Sequence, residues 1–154
     1  MNPASLTGTV RQILTAPHHG DTMISLPQVE AVAGRGLVGD RKYCHDLIPD
    51  TDNHVTLIES EKIEDFVTAT GLDFSAGDAR RNIVTQGIEL NELLGQEFYV
   101  GSVKVQTVEL CEPCSYLAKR THRAVLWGLA NRGGLRCRIL TGGIIRVGDT
   151  VGLL

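Results

Sequence analysis

The chain has 154 residues, 42% of them apolar and 21% charged, the balance of one water-soluble globular domain able to bury an ordinary core. Its formal charge of −3 gives no general attraction for nucleic acid or an anionic membrane, so any anion site must be local. The longest uncharged apolar run, about Ala124 to Ala130, is far too short to span a bilayer, and Met1 to Ser5 lack the features of a signal peptide. A cytoplasmic protein with no membrane or nucleic-acid partner is expected, its cysteines reduced.

Gly8 to Thr15 alternates loosely, with Val10, Ile13 and Leu14 apolar, and reads as a first strand. Ala16 to Asp21 has turn composition, and Val29 to Ala33 is a second short strand. Gly34-Arg35-Gly36-Leu37-Val38-Gly39 matches G-x-G-x-x-G, and Glu59 follows about twenty positions on, as in a dinucleotide-binding fold. That fold needs a helix opening at the glycines. Asp40 to Asn53 instead holds Pro49, several aspartates and no apolar stripe, so the glycines are expected to make a tight turn presenting Asp40, Arg41 and Lys42.

His54 to Glu59 is a strand, and Ser60 is positioned to cap a helix carrying Ile63, Phe66 and Val67 on one face and ending at Gly71. Gly77-Asp78 signals a turn. Arg80 to Thr85 then reads as a strand opened by two cations whose side chains should point to opposite faces. Asn91 to Leu94 suits one helical turn. Glu97 to Val100 and Val103 to Leu110 form a hairpin, and a change of apolar phase in the second predicts a bulge.

Arg123 to Asn131 is expected to be helical. Leu135 to Thr141 is a strand with Cys137 and Ile139 on one face, and Ile144 to Leu154 makes one or two last strands. Many short strands and glycine turns, with two or three inserted short helices, predict a mainly β fold: one β-barrel domain over residues 1–154, without repeats or linkers.

Chemistry concentrates at Cys111-Glu112-Pro113-Cys114, where a strand runs out and cations follow at Lys119, Arg120 and Arg123. A thiolate is stabilised by nearby cations and by a helix start, and Pro113 lets Cys114 open a helical turn. Cys114 is therefore the candidate nucleophile, with Cys111 as a resolving thiol able to close a disulfide. The competing reading is two inert thiols at a strand end. A structural zinc would need a second such pair, and Cys44-His45 has unsuitable spacing, so no metal is assigned. The five histidines form no ligand pattern and read as loop or surface residues. Arg80 or Arg81, with Arg41 and Asn82, are candidates to line a pocket for a small anionic ligand.

Gly36-Leu37-Val38-Gly39-Asp40-Arg41, Arg80-Arg81-Asn82-Ile83-Val84-Thr85-Gln86-Gly87-Ile88-Glu89-Leu90-Asn91, the Cys111–Cys114 pair and Gly148-Asp149, in that order, resemble the MOSC domain, the C-terminal domain of molybdenum-cofactor sulfurases that also occurs as small stand-alone bacterial proteins. The resemblance implies a closed, mostly antiparallel β-barrel. It implies a role in handling activated sulfur or binding the molybdenum cofactor (molybdopterin), through a cysteine matching Cys114 and basic residues; pyridoxal phosphate binding is also associated with the family. Many members carry a basic residue just before that cysteine, where this chain has Glu112-Pro113. A sulfur transferase acting in cofactor sulfuration would need a cysteine desulfurase or a molybdoenzyme as partner. The alternative is a non-catalytic module that binds molybdopterin or another anionic ligand.

Overall fold

The computed structural model describes residues 7–44 and 54–153. His45 and the aspartate-bearing stretch to Asn53 lie outside the described residues, as do Met1 to Leu6 and Leu154. The strands are β1 (Thr7–Thr15), β2 (Ile24–Leu26), β3 (Gln28–Val32), β4 (Gly36–Leu37), β5 (Val55–Glu59) and β6 (Ile83–Gln86). They continue with β7 (Glu97–Val100), β8 (Val103–Leu110), β9 (Leu135–Thr141), β10 (Gly143–Arg146) and β11 (Thr150–Gly152). The helices are α1 (Ser60–Thr70), α2 (Ala76–Ala79), α3 (Ser115–Arg120) and α4 (Val125–Gly128), with a 3₁₀ turn at Leu90–Leu93.

β1 is long enough to serve three neighbours. It pairs with β11 at its start, β6 along its middle and β2 at its end. The β1–β11 pairing closes a barrel in the order β1, β6, β5, β9, β8, β7, β11, with β2 as an outlier, and β3, β4 and β10 form a second small sheet. Closure leaves no free edge on those strands.

The barrel is mixed, which corrects the antiparallel expectation: β5 and β6 run parallel, Leu57 opposite Ile83. A hairpin cannot join parallel neighbours, and here the crossover is made by α1 and α2. That crossover has a packing consequence. All five residues of β5 are buried, because one face lines the barrel and the other lies under helices. Leu57, Ile83, Phe98 and Val105 belong to the barrel interior, whereas Ile58, Phe66, Phe74, Leu117 and Val125 form a second core between the sheet and the helical layer. Residues close to both cores are held from two sides, and the Arg80–Asn82 segment just before β6 is one such place.

α1 has the bounds its pattern predicts, and Gly71 ends it at φ 70 with its N–H on the Val67 carbonyl. Glu59, not Ser60, is its N-cap, and makes no side-chain cap bond. The predicted bulge in β8 appears as a register shift against β9 between Thr107 and Glu109. The helix expected over Arg123–Asn131 shrinks to α4, one turn, because Gly128 packs under Phe66 and Asn131 takes a positive φ of 61. The strand expected from Arg80 begins only at Ile83. Ahead of it, where Gly77-Asp78 signals only a turn, Ser75 and Asp78 close a capping box that nucleates α2.

Candidate functional site

The glycine turn after β4 is tied to the barrel by one buried carboxylate. Asp40 is 4% exposed and accepts from the Ala16 N–H at 3.0 Å, the Lys42 N–H at 3.3 Å and Arg41 Nη1 at 3.2 Å. The Arg41 N–H in turn bonds the Ala16 carbonyl at 2.7 Å. This seats Arg41 inward, where Nη2 lies 3.5 Å from the Arg80 carbonyl and Nη1 3.6 Å from Met23 Sδ. Lys42 places Nζ 3.4 Å from Thr56 Oγ1. Burial first, and then the neighbouring Arg41 charge, lower the Lys42 amine to a pKa of about 8.

Adjacent arginines follow different rules. Arg81 is occupied by backbone: Nε donates to the Gly133 carbonyl at 2.8 Å, Nη1 to Ala79 at 3.0 Å and Nη2 to Cys111 at 2.8 Å. Asn82 is fully buried and equally committed, its Oδ1 accepting from the Thr56 N–H and hydroxyl, its Nδ2 donating to the Leu14 carbonyl. Arg80 instead ends α2 in the left-handed conformation, φ 59, which a side-chain-bearing residue adopts only at a cost. It is 6% exposed; Nη1 donates to the Asp21 carbonyl at 2.7 Å, and Nη2 is buried without a partner. Burial, Arg41 and Arg120 all push its pKa down. The alternation expected of the two arginines is thus replaced by a helix cap and a backbone clamp, and neither is a surface residue.

The clamp fixes the thiol loop. Besides Arg81 on its carbonyl, Cys111 sends its N–H to the Gly134 carbonyl at 2.8 Å. Gly133 must be glycine for this approach, since a Cβ there would stand 2.2 Å from the Cys111 carbonyl oxygen. Glu112 is turned aside, its Oε1 accepting from the Asn131 N–H at 2.8 Å. Cys111 is 4% exposed, with Arg136 Nη2 3.9 Å from Sγ. Cys114 is exposed and is the N-cap residue of α3. On α3, Tyr116 stacks on His19 at 5.6 Å.

Arg41 meets the Arg80 carbonyl, and Arg81, the next residue, ties the Cys111 end of the thiol loop to the same segment, while Asn82 anchors that segment to β1 and β5. Sequence reasoning missed the partial burial of Lys42 and the place of Arg136 beside Cys111; the second was legible in principle, because Arg136 alternates with the inward Cys137 on β9. Cys137 is fully buried in the barrel, and burial drives its thiol pKa up. His54, expected in a loop or on the surface, is 2% exposed and accepts the Ile139 N–H at 2.8 Å. Among the described residues, no three histidine, cysteine or carboxylate side chains gather as a metal set would.

The sequence profile of the MOSC domain matches residues 17–152. No curated protein sequence matches this chain. Among solved structures, the YuaD protein from Bacillus subtilis superposes with a TM-score of 0.80 at 13% identity, covering 94% of each chain. YiiM from Geobacillus stearothermophilus gives 0.68 at 17% identity, over 96% of this chain and 75% of its own. YiiM from Escherichia coli gives 0.69 at 16% identity, over 99% of this chain and 70% of its own. At these identities the likeness is one of fold.

Proposed function

Because the chain belongs to the MOSC domain family, we propose that it is a sulfur carrier in which Cys114 accepts a sulfane sulfur beside an anion-binding region built on Arg41 and Arg80. The observation that carries this reading is the pairing of an exposed thiol, Cys114, with a buried one, Cys111, on a loop clamped from three directions. An exposed thiol can meet a donor protein; a buried one, held near by a fixed loop, can resolve it.

The step balances without an outside oxidant. The Cys114 thiolate attacks the terminal sulfur of a donor persulfide, such as one on a cysteine desulfurase; the donor S–S bond breaks and the donor leaves as a thiolate. Cys114 then carries S–SH. If no acceptor arrives, the Cys111 thiolate attacks Cys114 Sγ, closing a disulfide and releasing hydrosulfide.

A second reading, a binding module for molybdopterin or another anionic ligand without covalent chemistry, is favoured by the partnerless Nη2 of Arg80. The residues present suit such a group: Arg41 and Arg80 would hold its anionic parts and Cys114 would supply a thiolate. Bound molybdenum supplies redox or sulfur-transfer chemistry.

Mass spectrometry after incubation with a desulfurase and cysteine separates the two readings. Sulfur transfer predicts a gain of about 32 Da, one sulfur atom, that survives in Cys111→Ser and disappears in Cys114→Ser. Absence of the adduct from the unaltered protein, or its retention in Cys114→Ser, overturns the assignment.

A further inference from the structure

We propose that α4 and the cleft beside it form a docking surface for an acidic segment of a partner protein, with one apolar side chain of that segment seated against Trp127. The proposal is independent of the sulfur chemistry and of the arginines that precede β6.

Charge is unevenly spread along this chain. Residues 113–148 hold seven of the 15 lysines and arginines and none of the 18 aspartates and glutamates. A chain with a formal charge of −3 therefore contains one strongly basic stretch, and α4 lies in the middle of it. Arg123 and Arg132, both exposed, bracket the helix. The Arg123 carbonyl accepts the Leu126 N–H at 3.1 Å, so Arg123 belongs to the same turn and stands four residues before Trp127, on its side. On the other flank, Asn131 at φ 61 turns the chain, and the Arg132 N–H reaches the Leu129 carbonyl at 2.9 Å. Among the described residues, the arginine and lysine ion pairs are made by Arg11, Arg41, Lys62, Lys104 and Arg136; Arg123 and Arg132 make none. Of the carboxylates close to Arg132, Glu112 is engaged by the Asn131 N–H, and Asp65 is in the cleft wall. Asp65 offsets at most one of the two arginines, so the face stays cationic.

The second line is apolar. Val125 and Leu129 are buried in the core under the helices, which leaves Leu126 44% and Trp127 69% exposed. Trp127 is the only tryptophan of the chain, and its ring gives up the burial that such a side chain ordinarily has. Gly128 packs directly on the Phe66 ring and draws α4 down onto α1. Between them is a cleft of about 250 Å³, with Phe66, Ala69, Trp127, Ala130 and Arg132 in its wall. That is less than small-molecule sites occupy and suits a single large side chain. A tryptophan and an arginine beside an apolar cleft are the composition of a protein–protein hot spot.

A basic surface bearing a tryptophan also suits an anionic bilayer or a nucleic acid, and the shape of the face favours a protein. A bilayer has no side chain with which to fill a cleft, and α4 is a single turn, too short to lie along an interface. A single strand of nucleic acid needs a track of cations with several stacking rings, whereas here two arginines flank one ring. The position also fits a partner that meets the thiol. Cys114 is the N-cap residue of α3, and α3 packs on α4, so a protein seated on α4 stands on the helical layer that carries the exposed thiol.

The probe is a synthetic peptide with glutamates on both sides of one leucine, titrated into the full-length protein at low salt. Because Trp127 is the only tryptophan, its emission reports the site directly, and we expect a saturable blue shift. Fluorescence anisotropy of the labelled peptide then compares variants. Arg123→Gln combined with Arg132→Gln should weaken binding about tenfold or more, as should Trp127→Ala or a serine in place of the peptide leucine. Cys114→Ser should bind as the unaltered protein does. All three replaced side chains of the face are exposed, so unfolding in urea should be little changed. No saturation with the unaltered protein, or binding indifferent to Trp127→Ala or to the arginine pair, would overturn the docking surface. Tighter binding of an oligothymidylate, or of phosphatidylglycerol vesicles, with the same dependence on Trp127 would give the face to a nucleic acid or a membrane and overturn it as well. Docking without a sulfur adduct would remove the carrier reading and keep this surface; an adduct without docking would do the reverse.

Discussion

Two neighbouring regions of buried polarity differ in how completely they are paired. Around Arg81 and Asn82, each of the three Arg81 nitrogens meets a carbonyl and both ends of the Asn82 amide are engaged. One residue earlier, Arg80 keeps a buried N–H without an acceptor, in a left-handed backbone, among like charges. A buried polar group costs free energy unless it is paired, so a saturated network is explained by the fold alone. An unsaturated one asks for something else. Chain position does not separate the two arginines here; the state of their hydrogen bonds does.

The largest effect should come from breaking the saturated side. Arg81→Ala leaves the carbonyls of Ala79, Cys111 and Gly133 without donors, at about 1–3 kcal/mol each when buried, and we expect a loss on the order of 4 kcal/mol in urea denaturation. Arg81→Lys should rescue little, because an ammonium cannot reach three carbonyls from a fixed fork. The comparison breaks if Arg81→Ala is no less stable than Arg80→Ala.

A third buried group sharpens it from the acidic side. Glu59, 1% exposed, also has an unpartnered oxygen, Oε1, while Oε2 accepts the Leu90 N–H at 3.3 Å. Desolvation is the main cause that raises its pKa from 4.5 to about 7. Desolvation outweighs the neighbouring charges here, so protonation alone removes the buried charge without a ligand. Between pH 4.5 and 7 the folded state holds a proton that the unfolded chain has released, so stability falls as pH rises through that window and is flat above it. The whole fall should be about 3 kcal/mol. Subtracting the curve of Glu59→Gln from that of the unaltered protein should isolate it. A difference that does not vary with pH between those limits would mean that Glu59 is already ionised when buried.

The barrel was legible because its signals are local: alternation in β1 and β9, glycine turns, a phase change in β8, and the apolar face of α1 ending at Gly71. The parallel pairing of β5 with β6 was not, since the register of strands separated by two helices depends on where those helices pack. Arg41, Arg80 and Cys114 could be singled out by residue type. Their division from Arg81 and Asn82 could not, because it turns on whether Arg80 is a strand residue or a helix cap. That was decided by the Ser75–Asp78 capping box, which ends α2 at Arg80 and shifts the start of β6 to Ile83. The partial burial of Lys42 goes with a tertiary contact to Thr56 on β5, which its own neighbours in sequence do not announce.

The smallest effect is the most discriminating. Arg80→Gly and Arg80→Ala remove the same guanidinium, the same bond to the Asp21 carbonyl and the same repulsion from Arg41 and Arg120. They differ in one respect: alanine keeps a Cβ on a backbone at φ 59, and glycine does not. A left-handed residue with a Cβ costs about 1 kcal/mol more than glycine, so Arg80→Gly should be the more stable of the pair by about that amount. Both should be far more stable than Arg81→Ala. Urea denaturation of the three variants reads both differences. If alanine proved as stable as glycine, the left-handed cap would not be holding Arg80 in place, and the case for a side chain kept there against its backbone preference would fail.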